Sequence, residues 1–182
     1  MLNPVLIYSL VWEYRERWRT PLPPDRIETE GFAYVEGVTQ GPIEGRFRGT
    51  NSARQRSDGR FLTDVRGVIL GPAGLVVSVD YDGVGCPYPS NDEPLEDRTK
   101  VTISARHQTD DPEWSRLNDS ICVGVGENRF TPDGTRLALF DVYEIQWELL
   151  TDRSTERPVA PGPITIDDFP FDLDAMRHTR QA

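Results

Sequence analysis

Residues 5–15 alternate between two sets, Leu6, Tyr8, Leu10, Trp12 and Tyr14 against Val5, Ile7, Ser9, Val11, Glu13 and Arg15. The first set is wholly apolar or aromatic while the second turns polar, which is the pattern of a strand with one buried face. Pro21, Pro23 and Pro24 end regular structure after it. Further strand-length runs predict strands at residues 31–38, 43–49, 61–70 and 75–81. Within and around them stand Asp58-Gly59, Gly71-Pro72-Ala73-Gly74 and Asp82-Gly83. Such turn chemistry beside short β-branched runs is the strongest local signal for antiparallel strands.

Residues 84–97 read as a loop, with Gly85, Pro87, Pro89 and Pro94 among acidic residues. Strands follow at residues 99–107, 120–126 and 137–149, with a turn at Thr131-Pro132-Asp133-Gly134. Asp110-Asp111-Pro112-Glu113 can start one helical turn through Trp114 to Leu117, because acidic residues suit a helix N-terminus and Pro its first position. About eight strands with hardly any helix leave a sandwich or a closed barrel. The barrel is preferred, since closure removes exposed edges and leaves an interior for side chains or one small ligand. The expected fold is therefore all-β: a single antiparallel β-barrel over residues 1–150 with one short helical turn. Residues 151–182 form an irregular Pro- and Asp-rich tail, which either wraps back through Phe169, Phe171, Leu173 and Met176 or stays disordered.

Composition narrows the function classes. A chain of 182 residues is long enough for one domain with a real core, and 15 Gly with 15 Pro fits dense turns better than helices. A net charge of −10 argues against nucleic-acid binding and against attraction to an anionic membrane surface. Lys100 is the only lysine, so the other basic residues are all arginine, read first as codon bias. The apolar run at residues 5–12 lacks the flanks of a signal peptide and is too short to span a bilayer. With no secretion signal, Cys86 and Cys122 are expected as reduced thiols in a cytoplasm.

Six runs, in order, carry a family resemblance: residues 41–49 (GPIEGRFRG), 57–69 (SDGRFLTDVRGVI), 79–83 (VDYDG), 114–119 (WSRLND), 122–126 (CVGVG) and 141–145 (DVYEI). In these the chain resembles an uncharacterised bacterial family of single-domain β-barrels, the domain-of-unknown-function family numbered thirty-two thirty-seven. The resemblance covers roughly residues 5–148. The chain departs from it in a more Arg-rich segment after Gly49, in the Gly71–Gly74 turn and in the tail. The resemblance implies a barrel with an internal cavity, similar in shape to lipocalin-like and allene-oxide-cyclase-like barrels, and no established reaction.

Several residues are candidates for chemistry. Asp64 and Arg66 lie two apart in a strand and share a face; if it points inward they would bind a polar group or move a proton. A structural ion pair or a solvated outer face competes with that reading. Asp141 and Tyr143 share a face with Leu137, Leu139, Ile145 and Trp147, where desolvation would raise a carboxylate's pKa toward that of a general acid or base. Pairing with an arginine or backbone amides is the plainer alternative. His107 ends the apolar face Val101, Ile103 and Ala105, and it suits proton shuttling or an ordinary strand end. Tyr14, Asp80, Tyr81, Trp114 and Asn118 are candidate ligand-binding residues, against core packing for the aromatics and turn or cap roles for the polar ones. No metal or cofactor is expected: only two histidines exist, and no metal-ligand spacing, phosphate-cradling loop or dinucleotide fingerprint occurs.

Three functions are compatible with this reading. The first is a cofactor-free enzyme whose cavity isomerises, cyclises, cleaves or hydrolyses a small, largely apolar substrate, with Asp64, His107 or Asp141 as acid/base and Arg66 or Tyr143 stabilising negative charge. The second is a ligand-binding or carrier barrel without chemistry. The third is a solid barrel serving as an interaction module, with the acidic tail as contact surface. The first is favoured. The expected partner is a small molecule, with a symmetric homodimer as the default assembly.

Overall fold

The computed structural model describes residues 2–20, 29–87 and 98–147. Long strands dominate: β1 (Leu2–Arg19), β2 (Thr29–Gln40), β3 (Gly45–Asn51), β5 (Phe61–Leu70), β6 (Val76–Pro87), β7 (Arg98–Gln108), β8 (Cys122–Phe130) and β9 (Arg136–Trp147). A two-residue strand, β4 (Arg54–Gln55), lies between β3 and β5 and pairs with both β2 and β5. The order is β1-β9-β8-β7-β6-β5-β3-β2, and β2 pairs back onto β1, so eight antiparallel strands close into a barrel. Short 3-10 turns at Pro72–Gly74 and Ser115–Asn118 are the only helical elements among the described residues.

Period-2 alternation decides what lies inside. Tyr8, Leu10 and Trp12 of β1, Phe47 of β3, Val65 and Ile69 of β5, and Val77, Val79 and Tyr81 of β6 are buried. Val101, Ile103 and Ala105 of β7 with Ala138, Phe140 and Val142 of β9 complete the lining. Trp12 is the centre of this core, with its ring 5.3 Å from that of Phe47, 5.0 Å from Phe140 and 6.4 Å from Tyr81. These large side chains fit because glycines stand beside them on the neighbouring strands, Gly67 of β5 next to Phe47 of β3 and Gly124 of β8 opposite Ile103 of β7. A Cβ on Gly67 would fall 2.7 Å from Cε2 of Phe47, and one on Gly124 would fall 2.5 Å from Cγ1 of Ile103.

Most expected elements stand where the pattern placed them, and residues 61–70 form one strand as expected. The Asp58-Gly59 turn and the Gly71–Gly74 turn are real, with Gly59 at φ 79° and Gly74 at φ 85°. Three expectations are corrected. Asp82-Gly83 is no turn: β6 runs straight through it, with Gly83 opposite Ile103 and Asp82 opposite Ser104. The loop expected from residue 84 begins as strand through Pro87, and its remainder, residues 88–97, lies outside the described residues, as does the tail at 151–182. On β1 an irregular register between Leu6 and Tyr8 exposes Leu6 and buries Ile7, so the sequence face breaks there. Cys86 and Cys122 are free thiols, the second buried. No helix among the described residues is long and apolar enough to cross a membrane.

Candidate functional site

Inward residues along β1 step from Tyr8 through Leu10 and Trp12 to Tyr14, so the barrel has one polar layer on each side of the Trp12 ring. The lower layer joins three buried groups. Tyr8 Oη lies 2.7 Å from Tyr81 Oη and 2.6 Å from Nε2 of His107. All three side chains are buried, and Nδ1 of His107 has no hydrogen-bond partner among the described residues. Burial pushes the imidazole pKa down to about 4, with the Glu144 carboxylate opposing that shift, so the ring is neutral near neutral pH. Burial also raises both phenols and takes the Cys122 thiol up to about 11, leaving none of these groups ionised.

The upper layer opens into a cavity of about 300 Å³ at the barrel end where β1 finishes and β2 begins. A directed hydrogen-bond chain crosses the lumen there. Thr63 donates to Asn51 Oδ1 at 3.2 Å, Asn51 Nδ2 donates to Tyr14 Oη at 3.3 Å, and Tyr14 donates to Asn128 Oδ1 at 3.2 Å. The four residues come from β5, β3, β1 and β8, so strands that are not all neighbours are tied across the hollow. Arg136, the first residue of β9, lays its guanidinium 4.8 Å from the Tyr14 ring centre and 5.9 Å from that of Phe130. Its Nε is enclosed without a hydrogen-bond partner among the described residues. Ala33, Phe61 and Val101 give the cavity apolar wall. The result is a concave, half-apolar site with convergent polar groups, at the small end of the range for organic ligands.

The candidate residues from the sequence divide between inside and outside. Tyr14 lines the cavity, and Tyr81 and His107 share the buried layer through Tyr8. Asp64 and Arg66 face outward, with side chains 47% and 73% exposed, in a ladder with Asp80: Arg66 Nε is 3.6 Å from Asp64 and 3.4 Å from Asp80. Arg106 continues the ladder to Asp80 at 3.5 Å and Asp82 at 2.9 Å. They take the solvated, ion-paired outer face that competed with the inward reading, because Val65, on the alternate phase of β5, is the buried residue. Asp141 and Tyr143 are likewise on the outer phase of β9, since Ala138, Phe140 and Val142 take the interior, and Ser9 donates to Asp141 at 2.6 Å. Asn118 is a clamp: it accepts from the Thr109 backbone N–H at 2.9 Å and donates to its carbonyl at 3.0 Å. Trp114 packs on the core edge beneath the Arg116 guanidinium, 4.9 Å away.

Asn51, Thr63, Asn128 and Arg136 were absent from the sequence candidates. The signal for each was a polar residue in phase with a buried set: Arg136 precedes Ala138, Phe140 and Val142 at period two, and Thr63 precedes Val65. Another hollow, about 640 Å³, lies against β5–β7 and the Ser115–Asn118 turn, where it meets the buried Val79, His107 and Leu117; its charged residues Arg66, Asp80 and Arg106 already satisfy one another. Among the described residues no cluster of three or more His, Cys, Asp or Glu side chains could hold a metal ion.

Solved structures with this fold include a β-barrel-like protein from Acinetobacter baumannii AYE, 16% identical with TM-score 0.68, covering 80% of this chain and 97% of the other. A protein of unknown function from Clostridium acetobutylicum ATCC 824 is 15% identical with TM-score 0.66, covering 80% of this chain and 100% of that one. An enzyme from Penicillium herquei is 15% identical with TM-score 0.52, covering 80% of this chain and 95% of its own. At such identities the likeness is one of fold. Among curated proteins none matches. The sequence profile of DUF3237, a family described as proteins of unknown function, matches residues 23–145, and the chain belongs to that family.

Proposed function

We propose that this barrel binds a small organic molecule in the cavity beside Tyr14. The observation that carries the reading is the hydrogen-bond chain Thr63–Asn51–Tyr14–Asn128 crossing an otherwise hollow lumen. A barrel end meant only to be filled would place apolar side chains there, as the layer around Trp12 does. The chain instead keeps polar groups in fixed positions around free space, which orients a ligand's polar group while Ala33, Phe61 and Val101 receive its apolar body.

A second reading, cofactor-free catalysis in the same cavity, is supported by Tyr14. Its phenol both accepts from Asn51 and donates to Asn128, and Arg136 stands over its ring. A substrate seated there would meet a proton-carrying hydroxyl and a cation able to stabilise a developing oxyanion, as isomerisation or ring closure requires. The Penicillium herquei protein, called an enzyme, shares the fold. Among the described lining residues Glu30 is the sole carboxylate, so acid/base work falls on Tyr14 rather than on an aspartate.

The test is a thermal-shift screen of small apolar compounds against the wild type and Ala33→Phe, which fills the cavity from β2. Compounds that stabilise the wild type and not a folded Ala33→Phe variant support the binding reading, and equal stabilisation of both contradicts it. Catalysis is then separated by Tyr14→Phe, which abolishes turnover of a bound compound while sparing its affinity if the second reading holds.

A further inference from the structure

Three arginines converge on this cavity in a chain whose net charge is −10. Arg17 and Arg19 reach it from the end of β1, and Arg136 from the start of β9. Glu30 is the one acidic residue among the described lining residues, so the lining carries a positive excess. None of the three arginines makes an ion pair among the described residues, whereas the outer arginines Arg66 and Arg106 are each paired with aspartates. Arg136 is the most confined. Its guanidinium lies against the faces of Tyr14 and Phe130, and its enclosed Nε has no hydrogen-bond partner among the described residues.

A cation withdrawn from water without a counter-charge is costly, and neighbouring like charges add to the cost. Burial first, and then the charges of Arg17 and Arg19, lower the Arg136 pKa, while Tyr14 opposes them. The polar chain points the same way. It runs from Thr63 toward Asn128, whose Oδ1 accepts the last bond, so the group at its end is a side-chain NH2, a donor. Donors and cations on one side of an apolar hollow recognise an acceptor that carries negative charge.

We infer that the ligand of this cavity is an organic monoanion, an apolar body bearing one carboxylate, sulfonate or enolate-type oxyanion that seats on Arg136 beside Asn128. The inference deepens the binding reading above and rests on it. Arg136 makes the close contact, and the exposed Arg17 and Arg19 supply the outer field that draws the anion in against the chain's net negative charge.

The experiment uses the full chain and two fluorescent probes with the same aromatic body, anilinonaphthalene sulfonate and its uncharged parent phenylnaphthylamine. Wild type is expected to bind the sulfonate about tenfold more tightly than the neutral parent or better. Arg136→Gln is expected to bring that ratio near one while moving the neutral probe's Kd by less than about threefold. The exposed pair Arg17→Gln/Arg19→Gln, whose folding is not in question, is expected to lower the ratio less and mostly at low salt. A ratio that both variants leave unchanged overturns the anion inference while the binding reading survives. Binding of both probes left unchanged by a folded Ala33→Phe variant, or no binding to the wild type, overturns the cavity reading itself.

Discussion

Tyr8 Oη lies 2.6 Å from Nε2 of His107, with both side chains buried in the barrel and the Tyr81 hydroxyl completing the contact at 2.7 Å. His107 is held neutral by burial, with a pKa of about 4 in the folded protein against about 6.5 in the unfolded chain. The folded value is the lower one, so the unfolded chain takes up the proton first as pH falls. Stability is complete above about pH 6.5 and declines toward pH 4 by as much as about 1.4 kcal/mol per unit. Urea unfolding at about pH 7 and pH 5 should show this loss in the wild type, and His107→Gln should flatten it over that interval. The buried Glu144 acts lower down. Burial raises its carboxyl, but hydrogen bonds from Ser120 and Gln146 and the Arg116 charge together bring it below the usual value.

The same contact predicts the cost of removing one hydroxyl. Tyr8→Phe keeps the ring and its packing but strands Tyr81 Oη and His107 Nε2 in the interior. The expected destabilisation is about 2 kcal/mol or more, because two buried polar groups lose their partner. Chemical denaturation measures it. A change below about 0.5 kcal/mol would mean that water reaches this layer.

The barrel expectation and most strand positions were legible because period-2 alternation and Asp-Gly or Gly-Pro turns are local signals. Which face of a strand lies inside was less so. β9 is apolar on both sides, with Leu137, Leu139 and Ile145 outside and Ala138, Phe140 and Val142 inside, and the larger outer residues drew the expected core to the wrong phase. That one inversion carried Asp141 and Tyr143 into a supposed interior. The cavity residues were hidden for another reason. Asn51, Thr63, Asn128 and Arg136 are far apart in sequence, and only barrel closure brings them to one hollow. Asp82-Gly83 misled because a glycine needed for space against Ile103 looks identical in sequence to one needed for a turn.

Gly124 provides a test of that space argument. A Cβ there would meet Cγ1 of Ile103 at 2.5 Å and Cδ1 at 2.7 Å, both side-chain atoms. Gly124→Ala alone should cost about 1 to 3 kcal/mol through overpacking. Combined with Ile103→Ala, which removes the obstructing atoms, the double variant should be less destabilised than the sum of the singles. A double-mutant cycle by denaturant melts reads the coupling, and strict additivity would contradict the packing described.

The outer ladder should behave as a surface feature. Asp64→Asn and Arg66→Gln remove partners in an exposed network, so each should shift stability by less than about 1 kcal/mol. Binding of either fluorescent probe should not respond to them. A large loss of binding in Asp64→Asn would place the functional site on the outside of β5 instead.

The most direct test of the ligand site is an amide NMR titration of the wild type with phenylnaphthylamine, using residue-assigned spectra. The largest shifts are expected on Tyr14, Ala33, Asn51, Thr63 and Asn128, around the cavity where β1 ends. Shifts confined to Ser78, Arg106 and Gln108, along the outer groove, would contradict it.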